Sequence, residues 1–204
     1  MPKEIYIIRH GETDLNRQGI VQGSGVDPSL NNTGRQQAES FFRMYHQHPF
    51  ELVITSTLRR SRETVQSFID LPLPWMETPQ INEISWGDHE GRPSEPWMVD
   101  AYQKMIARWA EGDLSAHLNN GESAAQLIRR MDQFLEELVE LPHENILVCT
   151  HGRALRCLVT RIQNLPPIAM ESVEHKNTGL YLVTWDDGQF TVQKENDIAH
   201  LQYA

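Results

Sequence analysis

A short, continuous apolar run ends in His-Gly at two places in this chain, EIYIIRHG at residues 4–11 and NILVCTHG at residues 145–152. Runs such as Ile5 to Ile8 and Ile146 to Cys149 have no polar face, so each strand must be covered on both sides, as strands are inside a parallel sheet. Helical periodicity follows the second run through Leu155, Leu158, Val159 and Ile162, so the chain leaves that strand directly into a helix.

The segments between repeat this alternation. TGRQQAESFFRMYHQ opens with Thr33 and Gln36 spaced as a capping box, and its Ala38, Phe41, Phe42 and Tyr45 fall at helical spacing. Leu52 to Ile54 predicts a second strand, and TSTLRRSRETVQSFI a helix with Leu58, Val65, Phe68 and Ile69 on one face. Prolines 72, 74 and 79 then break the chain, and QINEISWGDHEGRP reads as a loop over the sheet edge. Met98, Tyr102, Ile106 and Trp109 predict one helix, and SAAQLIRRMDQFLEELVEL a longer one capped by Ser123 and Gln126. Two strand-like runs around Asp187-Gly188 form a hairpin signal near the end. The expected fold is α/β: a three-layer α/β/α sandwich with a mainly parallel sheet and an antiparallel edge strand. Its length suits one domain over residues 1–204, with a helical insertion at about 92–120.

Charge and cysteine content narrow the function. Lys and Arg total 18 against 28 Asp and Glu, a net charge of −10, which disfavours nucleic acid and anionic membranes as partners. A phosphate site must therefore be locally basic. Cys149 and Cys157 have neither metal-ligand nor disulfide-framework spacing, and are expected as inert core residues in a reducing compartment. His46 and His48 lack acidic or cysteine neighbours and are expected to be solvated. No stretch reads as a signal peptide or membrane span, so a soluble cytoplasmic protein, monomer or homodimer, without metal or cofactor is expected.

In an open parallel sheet ligands bind beyond the carboxyl ends of the strands, where His10 and His151 would both stand. Glycines after them permit φ > 0 and close backbone approach, and a following helix start adds partial positive charge. Arg9 brings a planar fork suited to phosphate oxygens, and the Arg59 to Arg62 segment can bring a second. These residues describe a dianion pocket.

The sequence RHGETDLN resembles the signature of the histidine phosphatase superfamily, the phosphoglycerate mutase-like proteins. STLRRSRET is similar to its S-x-L-x-R-A-x-x-T motif, INEISWGDHEG to its acid loop, NNGES to its G-E-S turn and THGRALR to its second histidine motif. The resemblance implies an α/β/α fold and a phosphohistidine intermediate, with His10 as nucleophile, Arg9, Arg60 and His151 around the phosphate, and Glu83 as acid/base. It further implies phosphate contacts from Asn16, Gln22, Gly23 and the backbone N–H of Gly152. The family's arginine stands four residues after its serine and four before its threonine, here Ser56 and Thr64, so the resemblance implies Arg60 and not Arg59. Ser61 stands where the family usually has alanine, and its hydroxyl is expected to be harmless.

The QGSGVDPSL run at 22–30, with GDHEG and NNGES, resembles the phosphatase branch, which includes α-ribazole phosphatases and broad-specificity enzymes. The expected function is hydrolysis of a small phosphorylated metabolite. Mutase transfer is the alternative, and a non-catalytic phosphate-recognition module a remote one. A mutase needs extra cations for a second anion, and residues 92–120 balance Arg92, Lys104 and Arg108 against Glu95, Asp100, Glu111 and Asp113. Trp86, His89, Arg92, Trp97 and Trp109 are candidates for a substrate mouth, Trp86 and His89 foremost, and Asn177, Thr178 and Gly179 for a return of the chain near the pocket.

Overall fold

Alternate side chains of the central strands enter two different apolar cores, which is why these strands show no polar face. In the computed structural model, which describes residues 2–203, strand β1 (Lys3–Arg9) sends Ile5 and Ile7 to one side and Tyr6 and Ile8 to the other. Strand β4 (Asn145–Thr150) divides Ile146 and Val148 from Leu147 and Cys149, and β2 (Leu52–Thr55) divides Leu52 and Ile54 from Val53. Fully burying each such side chain stabilises the fold by about 1.5–3 kcal/mol.

The sheet runs β3-β2-β4-β1-β5-β6, where β3 is Trp75–Glu77, β5 Leu180–Asp186 and β6 Gln189–Asp197. The first four strands are parallel, β5 is antiparallel to β1, and β6 antiparallel to β5. Asp187 and Gly188 turn the hairpin with φ of 47° and 78°, the paired left-handed backbone of a type I′ turn. One-turn α1 (Asp14–Arg17) follows β1. On one face lie α2 (Asn32–Tyr45), α3 (Arg59–Thr64) and α4 (Gln66–Ile69), with Phe41 and Phe68 in the core. The other face holds α5 (Pro96–Ala110), α6 (Ala124–Glu140) and α7 (Gly152–Ile162), through Met105, Leu127, Met131 and Leu158. Among the described residues no helix is long and apolar enough to cross a membrane.

Four local expectations change. Helix α2 is capped by Asn31, not Thr33: its side chain accepts from Gly34 N at 2.9 Å, while its own N–H and amide both donate to Glu12. The helix expected over 55–69 starts only at Arg59 and breaks at Val65, where the Thr64 hydroxyl donates back to Arg60 O at 2.6 Å and bends the turn. Between Pro74 and Pro79 runs the edge strand β3, whose residues are all exposed, so Trp75 and Met76 mark no buried face; Trp75 Nε1 donates to Thr55 Oγ1 at 3.1 Å. His46 is exposed as expected, but His48 lies half-buried between the Tyr6 and Phe50 rings. Cys149 and Cys157 are buried and free, and burial pushes both thiol pKa values up, that of Cys157 to about 12.

Candidate active site

Strands β1 and β4 are neighbours with Arg9 opposite Thr150, so both His-Gly ends open at the same edge of the sheet. His10 N donates to Thr150 O at 2.9 Å, and the His10 and His151 rings are 5.2 Å apart between centroids. The loop beyond is held from three sides. Gly11 N donates to Thr64 Oγ1 at 2.9 Å, Asn177 Nδ2 donates to His10 O at 2.8 Å, and Thr178 N donates to Arg9 O at 2.9 Å. The turn at Asn177 and Thr178 thus fixes the backbone of the pocket. Neither Gly11 nor Gly152 uses positive φ, contrary to expectation. Close approach accounts for Gly11, where a Cβ would lie 2.7 Å from Gly34 O; a Cβ on Gly152 would meet Glu83 Oε2 at an ordinary 3.5 Å.

His10 is nearly inaccessible, and its Nδ1 lies 2.7 Å from Gly11 O. A carbonyl only accepts, so the proton resides on Nδ1 and Nε2 carries the lone pair. Burial first, then the charges of Arg60 and Arg9, hold the imidazole pKa well below its ordinary value. His10 is therefore neutral at physiological pH. His151 is depressed by burial first, then by Arg60 and His10.

The surrounding donors are aimed by backbone carbonyls. Arg60, wholly buried, donates from Nη1 to Val26 O at 2.8 Å and from Nη2 to Gly23 O at 3.1 Å. Arg9 donates from Nη1 to His175 O at 2.9 Å; burial lowers its pKa to about 10, which leaves it charged. Arg9 Nε, Arg60 Nε and His151 Nδ1 are each buried without a partner among the described residues. Buried polar atoms almost always find partners, so three unpartnered nitrogens around one imidazole mark a place for oxygen atoms of a ligand.

Glu83 stands across the pocket. Its Oε1 accepts from Ile84 N at 3.0 Å and Ala154 N at 2.9 Å, and its Oε2 from Arg153 N at 3.0 Å. The N–H groups of Arg153 and Ala154, at the start of α7, therefore serve Glu83; that of Gly152, the one expected to serve phosphate, is not among them. Oε2 keeps a lone pair on the Gly152 side. The carboxylate's loop is fixed by Arg130, which grips Glu122 at 2.7 and 2.9 Å and donates to Asn82 O at 2.7 Å.

A cavity of about 490 Å³ opens above these groups. Arg9, His10, Asn16, Gln22, Glu83 and Gly152 line it, while Arg60 and His151 lie buried beneath. Gly23 does not line it: its carbonyl orients Arg60, and a Cβ there would stand 2.0 Å from Glu90 Oε1. Trp86 and His89 are in the wall; Arg92 and Trp97 are exposed outside it, and Trp109 is a core residue bonded to Ala116 O at 2.8 Å. Among the described residues no three His, Cys, Asp or Glu side chains gather to hold a metal ion.

Sequence reasoning missed Arg153, Arg156 and His175, all in the cavity wall. The arginines were legible in HGRALR, since positions 152, 153 and 156 share one face of a helix. His175 had no local signal. Ser61 also differs from expectation: its Oγ lies 2.8 Å from Ser56 Oγ, which lies 2.7 Å from His151 Nε2, so the hydroxyl belongs to a relay behind the phosphate pocket.

Known proteins share the sequence pattern and the fold of this chain. The family model of the histidine phosphatase superfamily (branch 1) matches residues 5–198. An adenosylcobalamin/α-ribazole phosphatase of Escherichia coli is 33% identical over 168 residues, 81% of this chain and 82% of that protein. A probable phosphoglycerate mutase of Yersinia enterocolitica is 30% identical over 207 residues, covering 97% and 94%. The crystal structure of a putative α-ribazole-5′-P phosphatase from Escherichia coli superposes with a TM-score of 0.86 at 28% identity, over 97% of each chain. This chain belongs to the histidine phosphatase superfamily.

Proposed function

We propose that the protein hydrolyses a small phosphomonoester through a phosphohistidine on His10. The observation that carries this reading is the neutral imidazole of His10, its lone pair on Nε2, amid the unpartnered Arg9 Nε, Arg60 Nε and His151 Nδ1. Nε2 attacks phosphorus in line with the leaving oxygen. The transition state spreads negative charge over three equatorial oxygens, and fixed donors there contribute about 10²–10³ each in rate. The arginines supply this compensation, so activity should survive exhaustive chelation. Glu83 protonates the leaving oxygen from Oε2, then takes a proton from the water that attacks the phosphohistidine.

Mutase transfer remains the second reading, because Arg153 and Arg156 bring from α7 the cations that residues 92–120 lack. The phosphatase assignment is supported by relatives such as the α-ribazole phosphatase. The test is a screen of sugar phosphates, nucleotides, phosphoserine, phosphoglycerates and α-ribazole phosphate, with acid-quenched trapping of the enzyme. An acid-labile phosphate on His10, absent in His10→Ala along with turnover, is expected. Label on a serine or aspartate sinks the mechanism, and sustained 2-phosphoglycerate production from 3-phosphoglycerate without phosphate release favours the mutase.

A further inference from the structure

Glu90 ends the loop that carries Glu83, and its carboxylate ties two loops together. Oε1 accepts from Trp86 N and Oε2 from Gly25 N, both at 2.7 Å. The first bond stays within the acid loop, and the second reaches a segment 65 residues earlier. That segment supplies the carbonyls that aim Arg60: Gly23 O accepts from Nη2 at 3.1 Å and Val26 O from Nη1 at 2.8 Å.

This half-buried carboxylate does not line the cavity, and among the described residues it pairs with no cation. Its oxygens are spent on backbone N–H groups. An ionised carboxylate only accepts, and bonds to it are about twice as strong as neutral ones, so it suits two donors from two loops. The glycines of the segment make room for it: a Cβ on Gly23 would stand 2.0 Å from Oε1, and one on Gly25 2.8 Å from Oε2. Little else fastens the segment to the acid loop. Ser24 N donates to Ile84 O, at a longer 3.3 Å. Glu83, by contrast, is held by its own bonds to the N–H groups of Ile84, Arg153 and Ala154. Loss of Glu90 should therefore leave the acid in place and loosen the aim of Arg60.

We propose that Glu90 is a positioning residue that acts through Arg60: it clamps residues 23–26 to the acid loop, so that Gly23 O and Val26 O hold the guanidinium toward the phosphoryl group. This rests on the phosphomonoesterase reading for the place of that group. A misplacement of about 1 Å can cost about 10² in rate, so the clamp has a measurable effect without touching substrate.

Orthovanadate, a five-coordinate mimic of the transferring phosphoryl group, reads the pocket without turnover. In Glu90→Ala it should bind at least about tenfold more weakly by calorimetry, and kcat/KM should fall by about 10–10², less than the 10²–10³ lost with a whole donor. Glu90→Gln, which keeps one of the two bonds, should fall between. The loss should be the same for p-nitrophenyl phosphate and an alkyl phosphate, because Arg60 serves oxygens common to both. In an Arg60→Lys background, where the fork is gone, Glu90→Ala should cost less than about threefold. Unchanged vanadate affinity overturns the clamp, a greater loss for the alkyl phosphate means that Glu90 acts through Glu83 instead, and an undiminished cost beside Arg60→Lys reduces it to a structural role. Should Glu90→Ala not fold, Gly23→Ala tests the same clamp, since its Cβ would also stand 2.5 Å from Ile84 O and displace the segment; an unaltered vanadate affinity there overturns the proposal equally. Vanadate binding that depends on Glu90 in a protein that hydrolyses no ester would retain the clamp and remove the hydrolase reading.

Discussion

Glu83→Gln separates the structural bonds of this carboxylate from the acid role proposed for it. The side-chain amide must set its NH₂ either at Oε1, against the N–H groups of Ile84 and Ala154, or at Oε2, against that of Arg153 alone. The second orientation opposes one donor and is the one adopted. It leaves a buried N–H unsatisfied, so the variant should lose about 1–3 kcal/mol of stability. In a chain of 204 residues that lowers Tm by roughly 2–4 °C per kcal/mol. The same orientation puts a non-transferable NH₂ at the oxygen from which the leaving group is protonated. Alkyl phosphates should therefore lose about 10²–10⁴ in the phosphoryl-transfer step. With p-nitrophenyl phosphate, whose leaving group departs as an anion, that step should be little impaired and dephosphorylation should become limiting. Rapid mixing then shows a burst of nitrophenol followed by slow turnover. Equal losses in phosphoryl transfer for both substrates would refute the assignment, and an unchanged Tm would refute the account of the N–H bonds.

Two further expectations concern protonation. Buried neutral, His10 and His151 resist the proton that they accept near pH 6.5 in the unfolded chain, so acid favours unfolding. Their contribution is complete above about pH 6.5 and falls below it by up to about 1.4 kcal/mol per pH unit each; His10→Asn should shallow the pH dependence of urea unfolding, and an identical slope would count against the burial argument. Ser61→Ala should act through His151. Once Nε2–H donates to Ser56 Oγ, which already accepts from Leu58 N at 3.1 Å, the Ser56 hydrogen needs Ser61 Oγ as acceptor, while Ser61 itself donates to Leu58 O at 3.0 Å. Losing that acceptor disfavours doubly protonated His151, so its imidazole, followed by NMR, should take up a proton only at still lower pH, an unmoved titration being the contrary result.

What the sequence disclosed was whatever one element decides for itself. Ile5 to Ile8 had to be a strand covered on both faces, and two such strands ending in His-Gly had to present their histidines at one sheet edge. The pairing of Arg9 with Thr150 then sets them side by side. The residues that stayed hidden act through partners remote in sequence. Thr64 breaks its helix while its hydroxyl accepts from Gly11 N, 53 residues away. Arg156 reads as one more polar residue on an amphipathic helix until it is seen in the cavity wall, sharing Glu171 with Arg153. The expectation for Gly23 erred for a related reason: its carbonyl serves the site through Arg60, and no local pattern distinguishes aiming a ligand from being one.

The arginines fall into two kinds, and the difference explains how a −10 chain can hold an anion. Arg130 and Arg153 lie against the carboxylates of Glu122 and Glu171, which neutralise them, and they fasten loops. Arg9 and Arg60 are oriented by the carbonyls of His175, Val26 and Gly23, which fix direction without cancelling charge; the nearest carboxylate to Arg60, Asp27, is exposed and 3.8 Å away. A carboxylate in place of those carbonyls would aim the forks equally well and cancel the positive field at the cavity floor on which the proposed phosphate site depends. Arg156 falls in neither kind: no carbonyl orients it, and its one carboxylate, Glu171 at 3.6 Å, is shared with Arg153.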